Sequence, residues 1–597
     1  MVIRKRSAVI FGLTQTQFND LCYYLAGVLI SVFLFFWILM GFDFDFRNPV
    51  IYDGDAFHTF MQFKVAASAS WWPYRLLSTH IAGAPFGYVI GDYPIADQFH
   101  LIAIKLLSFF TKDPVALFNI YYFINFPLST LTFMFVAKKL RIHGSLRVVL
   151  GVLFAFLPYH LRRFCHLFLG AYSFLPFFLL VLFWVWSAKP LFFRRDRETG
   201  RVCLDYRSRK AQMSALVAFV GATVGVYYAF FFGFFVAIAG FSAAFYRRSF
   251  KNGRYHLLSA GLLLLILGGS LGMTGFANLW YWHKHGRNHI VGVRTPYEAE
   301  VYSLKLIQIV WPQSNHRNEE MRTIRRNYQS ASPIAEGYDE AVGWVSLLGF
   351  AILFLRLLVL GRKSSTLDKL SLFLVTGFML GTFGGLGEIF AKVVSPMFRC
   401  YNRISVFLAL FALMGLAYAL QSLRRRIGNG GLVLASLILL PIGIYDQITP
   451  DYNGMQKGVI GDYRSDQEFF RAIEAQMPAE SQILQLPYLP FPEQPPVLQM
   501  SDYSHFRAPI LSNHLRWSYG VMHGRPGDAE IRAVSQFPLN LGAIRTRGYT
   551  GIYIDRFAYA DRAAAIEKTL AEQLKTPPLV SHNQRLSFFS LLPVLAK

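Results

Sequence analysis

The chain has 597 residues, 54% of them hydrophobic and only 16% charged, and its apolar runs are too long and too numerous for soluble cores. The net charge of +24 would suit a nucleic-acid partner, but Lys and Arg fall in short clusters between apolar runs, as the positive-inside bias requires. Composition therefore excludes a soluble enzyme and a nucleic-acid binder, and predicts an α-helical polytopic membrane protein.

The N-terminus carries Arg4, Lys5 and Arg6, and residues 21–42 form the first apolar run long enough to span a bilayer. No small-residue cleavage site follows it, which predicts an uncleaved anchor with its N-terminus in the cytoplasm. Further runs follow at 114–136, 146–159, 171–186, 213–226, 228–245, 257–280, 342–360, 370–383, 404–420 and 432–444, giving about eleven spans. Alternate connections, at 138–147, 194–210, 247–254, 362–369 and 424–426, are short and basic, which puts them on the N-terminal side. An odd count leaves the C-terminal region outside, which in a bacterium is the periplasmic face of the inner membrane. Of the cysteines Cys22, Cys165, Cys203 and Cys400, none has metal-ligand spacing. Only Cys165 and Cys400 face the oxidising side, so they are the one pair a disulfide could join.

Three outer regions are too large to be turns. Within 43–113, the spacing of Phe57, Phe60, Met61 and Val65 predicts a helix lying in the membrane interface, and 101–110 reads as a second interfacial or re-entrant helix. Residues 281–341, rich in His, Arg and Glu, read as a partly ordered binding loop. Composition shifts at Asp446, dividing a membrane domain at 1–446 from a soluble α/β domain at 447–597. In that second domain Ser465-Asp466-Gln467-Glu468 reads as a capping box opening a helix, 482–487 and 550–555 as strands, and 556–574 as mainly helical.

The chemistry concentrates in the outer regions. Asp53-Gly54-Asp55 places two carboxylates on a flexible turn, as base, as metal ligands, or both, while Asp55 could instead N-cap a helix starting at Ala56. Asp92 and Asp97 follow in the same loop. Arg399 and Arg403, flanking Asn402, precede a span at headgroup depth, where guanidinium forks bind phosphate and where arginines also snorkel. His160, Arg162, Arg163 and His166 make a cationic turn that would touch substrate or anchor itself. Arg287, Arg294, His316 and Arg317 would contact donor or acceptor, or simply be solvated. Trp517 and Tyr519 would stack on a sugar or pack in a core. Gly83, Gly87 and Gly91 are turn glycines, since no Gly-Lys-Ser/Thr follows them.

These pieces together resemble the GT-C glycosyltransferases, polytopic enzymes with an acidic first outer loop and a C-terminal extracytoplasmic domain. The likeness lies in Gly54-Asp55-Ala56, Gly83-Ala84-Pro85-Phe86-Gly87, Asp92-Tyr93-Pro94, Pro158-Tyr159-His160 with His166, the stretch YSLKLIQIVWPQSNHR at 302–317, RCYNR at 399–403 and LRWSYGVMHGR at 515–525. The resemblance implies a polyprenyl-phosphate sugar as donor and a cell-surface glycan or a protein such as pilin as acceptor. It also implies Asp55 or Asp53 as base, with Arg403, Arg399 and Asn402 on the donor phosphate. Asp92, Asp97, His160, His166, Arg287, His316, Arg317 and Trp517 remain substrate-contact candidates. Family members differ in metal need, so magnesium or manganese on Asp53 and Asp55 stays open. The WWDYG motif of oligosaccharyltransferases is missing, which argues against transfer of an assembled glycan to an Asn sequon.

The main rival is a transporter or flippase for lipid-linked sugars. It would carry its polar residues near the bilayer midplane, whereas here the acids sit in outer loops. A third reading is a scaffold whose acids could be changed without loss.

Overall fold

The computed structural model describes residues 9–10, 13–70, 77–196, 198–246, 250–331, 340–358, 365–449 and 452–593. Its main helices are α1 (Gln15–Leu34), α2 (Asp55–Ser68), α3 (Gln98–Leu107), α4 (Pro114–Lys139), α5 (Gly144–Ala155), α6 (Leu175–Val185) and α7 (Arg209–Gly221). They continue with α8 (Val226–Tyr246), α9 (Phe250–Thr274), α10 (Trp344–Leu357), α11 (Thr366–Gly381), α12 (Leu386–Val393), α13 (Ser405–Gln447) and α14 (Tyr452–Gln476). Among the described residues, 6 helices are long and apolar enough to cross a membrane: Gln15–Met40, Pro114–Lys139, Gly144–Arg162, Val226–Tyr246, Gly253–Thr274 and Tyr401–Gln447. The chain is a multi-pass membrane protein.

Each predicted apolar run falls on a helix, but α6, α7, α10 and α11 are shorter, at 11, 13, 14 and 16 residues. The long α13 turns back on itself. Gly428, at φ 69°, breaks it just after Arg424, Arg425 and Arg426. Gln421 accepts the His143 N–H and Ser436 meets Ser145, so both reach the start of α5. A straight helix would hold them roughly 22 Å apart. Local signals explain α4: Asp113 caps it, accepting from the Val115 and Ala116 amides, Pro114 stands at its first position, and Lys138 and Lys139 close it. The basic 138–147 connection lies beside Gln421, and Asp20 of α1 pairs with Lys138 and Arg147 at 2.8 and 2.7 Å. The predicted basic residues at 1–6, and parts of the 247–254 and 362–369 clusters, lie outside the described residues.

All four cysteines are free, Cys165 and Cys400 included. Helix α3 exposes Ile102 and Leu106, and Phe109 and Phe110 just beyond it are 70% and 86% exposed, an apolar edge suited to an interface. Helix α2 differs from its prediction. Phe57, Phe60, Met61, Phe63 and Val65 are all buried, because the helix lies between α4 and the C-terminal domain instead of against lipid.

The C-terminal domain is built on a five-stranded sheet, with β1 (Gln482–Leu486), β2 (Arg516–Trp517), β3 (Tyr549–Asp555), β4 (Leu579–Val580) and β5 (Leu586–Ser590) in the order β4-β5-β3-β1-β2. The β3-β1-β2 half is parallel and the β4-β5-β3 half antiparallel. The first loop covers the β2 edge. Trp517 N–H donates to Ile81 at 3.0 Å, and the Ala84 and Gly83 amides donate to Trp517 and Tyr519 at 2.9 and 2.8 Å. An edge that would otherwise recruit foreign strands is thereby paired. Gly83 turns the chain away at φ 73°, where a Cβ would meet the Gly87 carbonyl at 2.4 Å.

The predicted capping box does not open a helix, since α14 runs through it. Ser465 instead accepts the Asn583 N–H at 3.0 Å, and Asp466 is committed to a buried ion pair. The 556–574 segment holds a short turn at Arg556–Ala558 and a helix only at Ala564–Leu574. Arg507 meets Asp466 at 2.7 Å, both almost wholly buried, and lies over the Tyr52 and Phe57 rings at 4.4 and 4.6 Å. Tyr52 donates to the same carboxylate, and Lys64 of α2 donates to the Pro509, Ile510 and Ser512 carbonyls. Arg507→Leu strands a buried carboxylate, so we expect a loss of about 3–5 kcal/mol. A lower melting temperature and faster proteolysis of the C-terminal domain would report it, and Asp466→Leu in the same chain should recover part of the loss.

Candidate active site

Gly54 occupies the N-cap position of α2 with φ 52° and ψ −136°, a conformation costly for residues with a Cβ, and its N–H faces Ser501 Oγ at 3.4 Å. Asp55 is therefore the first helical residue and makes no side-chain cap bond, which removes the capping alternative. Its Oδ2 lies 3.0 Å from His166 Nε2. Among the described residues its Oδ1 has no hydrogen-bond partner. Burial alone would raise the Asp55 pKa, but the His166 hydrogen bond and charge outweigh burial and hold it below the usual carboxylate range. Asp53 beside it is exposed.

Two other walls approach this carboxylate. The C-terminal domain contributes Asp502, whose pKa is pushed up to about 6 by burial and by Asp55 and Asp53. It also contributes Tyr503, held at φ 56° with its ring stacked 5.0 Å from His58 of α2. Burial pushes His58 down to about 4, leaving it neutral. The third wall is the Tyr401–Ile404 turn leading into α13, where the Arg403 guanidinium sits 4.3 Å over the Tyr227 ring. Its charge acts on both Asp55 and Asp97. Burial raises Asp97 to about 7, partly offset by Arg403.

Asp55 and His166 are in contact, Arg403 acts electrostatically on Asp55 and Asp97, and Asp53 acts on Asp502, whereas the other sequence candidates are engaged with partners of their own. Arg399 is paired with Glu298 and lies over Tyr302 at 5.0 Å. Asn402 is fully buried and donates to Glu340 at 2.9 Å, beside Arg163 at 3.5 Å. His160 is buried, stacked 4.0 Å from Phe126, with Nδ1 on the Ala155 carbonyl at 2.7 Å. Asp92 is a tie between outer regions: Arg525 grips both its oxygens, and Trp282 and Asn288 add contacts at 3.1 and 3.4 Å. Arg287 is exposed over Trp282, and Arg294 pairs with Glu493. His316 lies 3.4 Å from Asp446, and Arg317 donates to the Ile448 carbonyl at 3.0 Å. Trp517 is fully buried against Phe470 and Tyr553, so it is core and not a sugar platform.

One Asp55 oxygen is on His166, Asp53 is exposed, and among the described residues no three His, Cys, Asp or Glu side chains are grouped to hold a metal ion.

An apolar groove of about 430 Å³ runs between α8, α9, α11 and α12, lined by residues including Phe230, Phe234, Leu264, Gly268, Phe390 and Phe398. Phe398 stacks on Phe230 at 4.3 Å and meets Tyr227, the ring beneath Arg403, at 6.0 Å. Arg403 is thus separated from the groove by one aromatic layer.

No protein-family model matches the chain, and no curated protein matches its sequence. Solved structures are similar at low identity. The arabinofuranosyltransferase AftD from mycobacteria, in a mutant form, aligns over 90% of this chain at 13% identity with a TM-score of 0.46. The Archaeoglobus fulgidus oligosaccharyltransferase aligns over 90% at 12% identity with a TM-score of 0.44. The chain spans 36% of the length of the first and 70% of the second.

Proposed function

We propose that the protein is a membrane glycosyltransferase of the GT-C type, moving a sugar from a polyprenyl-phosphate donor to a hydroxyl of an extracytoplasmic acceptor. The observation that carries this reading is the placement of Asp55, one oxygen anchored and one open, within the field of Arg403, which Tyr227 separates from the wall of an apolar groove. In the reaction the acceptor oxygen attacks the anomeric carbon as its proton passes to Asp55 Oδ1. The bond from that carbon to the phosphate oxygen breaks, and its electron pair leaves on the lipid phosphate beside Arg403. A single displacement inverts the anomeric centre.

The groove would take the first isoprene units, bringing the phosphate to Arg403 from within the bilayer. The sequence segments resemble those of a bacterial GT-C group that includes a pilin arabinofuranosyltransferase, and on that resemblance we propose a pentose donor and a pilin-type acceptor, on the periplasmic face of a bacterial inner membrane.

The test is transfer from synthetic polyprenyl-phosphate arabinose, and from hexose analogues, to pilin or glycan acceptors by the full chain in liposomes. A Cβ on Gly268 meets nothing within 4 Å, so Gly268→Leu extends a side chain at the groove wall without clashing at its base. It should raise KM for long-chain donors and leave short-chain donors unaffected. Absence of transfer from every lipid-linked donor would reject the reading.

A further inference from the structure

We propose that His166 is a positioning residue that aims Asp55, and that the Cys165 thiol holds His166 in place; the inference rests on Asp55 being the base. Both ring nitrogens of His166 are already committed, Nε2 to Asp55 Oδ2 at 3.0 Å and Nδ1 to Cys165 Sγ at 3.4 Å. A histidine filled on both sides has no nitrogen left for a substrate, which separates this role from the contact the sequence suggested.

The backbone around the pair is fixed to the same helix. Thr59, one turn after Asp55 on α2, reaches both the Asp55 and the Cys165 carbonyls at 3.3 Å. The turn carrying Cys165 and His166 therefore moves with the first turn of α2. An aspartate at a helix start has several staggered rotamers open to it. Anchoring Oδ2 selects one of them and leaves Oδ1 without a hydrogen-bond partner among the described residues, on a carboxylate that Asp502 and Arg403 both feel.

The His166 and Asp55 side chains are 31% and 39% exposed, so solvent screens much of what the pair adds to fold stability. Its value is geometric. Misplacing a reacting group by about 1 Å costs on the order of 10²-fold in rate.

The experiment compares wild type, His166→Ala, His166→Gln, Cys165→Val and Cys165→Ser as full chains in liposomes with polyprenyl-phosphate sugar. His166→Ala and Cys165→Val should lower kcat roughly 10- to 100-fold with KM for both substrates unchanged. His166→Gln can present an amide N–H near the Nε2 position, and Cys165→Ser keeps a hydrogen-bonding group, so each should recover most of kcat. A raised KM would mean direct substrate contact, and an unchanged kcat in His166→Ala would mean a surface ion pair only; either overturns the proposal.

A second readout needs no turnover. With the exposed thiols replaced as Cys22→Ser and Cys203→Ser, maleimide should label Cys165 in preference to the buried Cys400. His166 Nδ1 stands 3.4 Å from that thiol, so the labelling rate should change in His166→Ala and again in Asp55→Ala, which frees the ring. Equal labelling rates in all three chains would overturn the proposal even if wild type moves no sugar, whereas coupled rates without transfer would reject the transferase reading and retain the Asp55–His166–Cys165 chain.

Discussion

Asp55→Asn is expected to abolish transfer, lowering kcat by about 10²- to 10⁴-fold, while the protein still inserts and accumulates. The amide keeps the shape of the carboxylate and can still accept from His166 Nε2, so the helix start and the neighbouring turn should survive. It cannot take the acceptor's proton. Helix capping cannot account for such a loss, because Gly54 stands at the N-cap and Asp55 makes no cap bond. Asp53→Asn is the control. Asp53 is exposed and outside the His166 contact, so its loss should be much smaller. Near-normal turnover in Asp55→Asn, or an equal collapse in Asp53→Asn, would move the base away from Asp55. Transfer measured in membranes at matched protein levels distinguishes these outcomes.

The membrane core was legible because spanning demands long apolar runs with charged connections, and among the described residues 6 helices are long and apolar enough to cross, with the remaining predicted runs falling on shorter helices. The acidic turn was legible for a related reason: two carboxylates around a glycine have no use in a hydrocarbon slab. What closes the site was not. Asp502 and Tyr503 lie in a segment with no motif, more than four hundred positions from Asp55 along the sequence, and only the packing of α2 on the C-terminal domain brings them together. The pairing of 81–84 with Trp517 is equally hidden, since a few residues of edge strand carry no periodicity. Local rules also misled where tertiary contacts outweighed them. Ser465 has the capping pattern but serves Asn583, and the apolar face of α2, which reads as interfacial, is buried between α4 and the domain. Trp517 shows that an aromatic in a segment resembling a family motif does not by itself make a sugar platform, since it is fully buried.

Arg403→Ala should produce the second large loss, about 10²- to 10³-fold in kcat, if the guanidinium stabilises charge that develops on the departing phosphate. Its position motivates the expectation: it lies over Tyr227, one aromatic layer from the groove, and its charge reaches Asp55. Arg403→Lys keeps the charge but loses the planar fork and the stacking on Tyr227, so it should fall between wild type and Ala. Snorkelling predicts otherwise, since a lysine reaches the interface as well as an arginine. Arg399→Ala is the matched control, because that side chain is tied to Glu298 and stands on Tyr302. The kinetic form of the loss carries the mechanism. A contact made equally in ground and transition states would raise donor KM alone, whereas one that strengthens as the bond to phosphate breaks would lower kcat as well. A donor titration with the long-chain lipid separates the two, and Gly268→Leu supplies the reference for a variant that weakens only tail binding. If Arg403→Lys and Arg403→Ala both match wild type, the phosphate is held elsewhere, and Arg399 and Arg294 become the next cations to test.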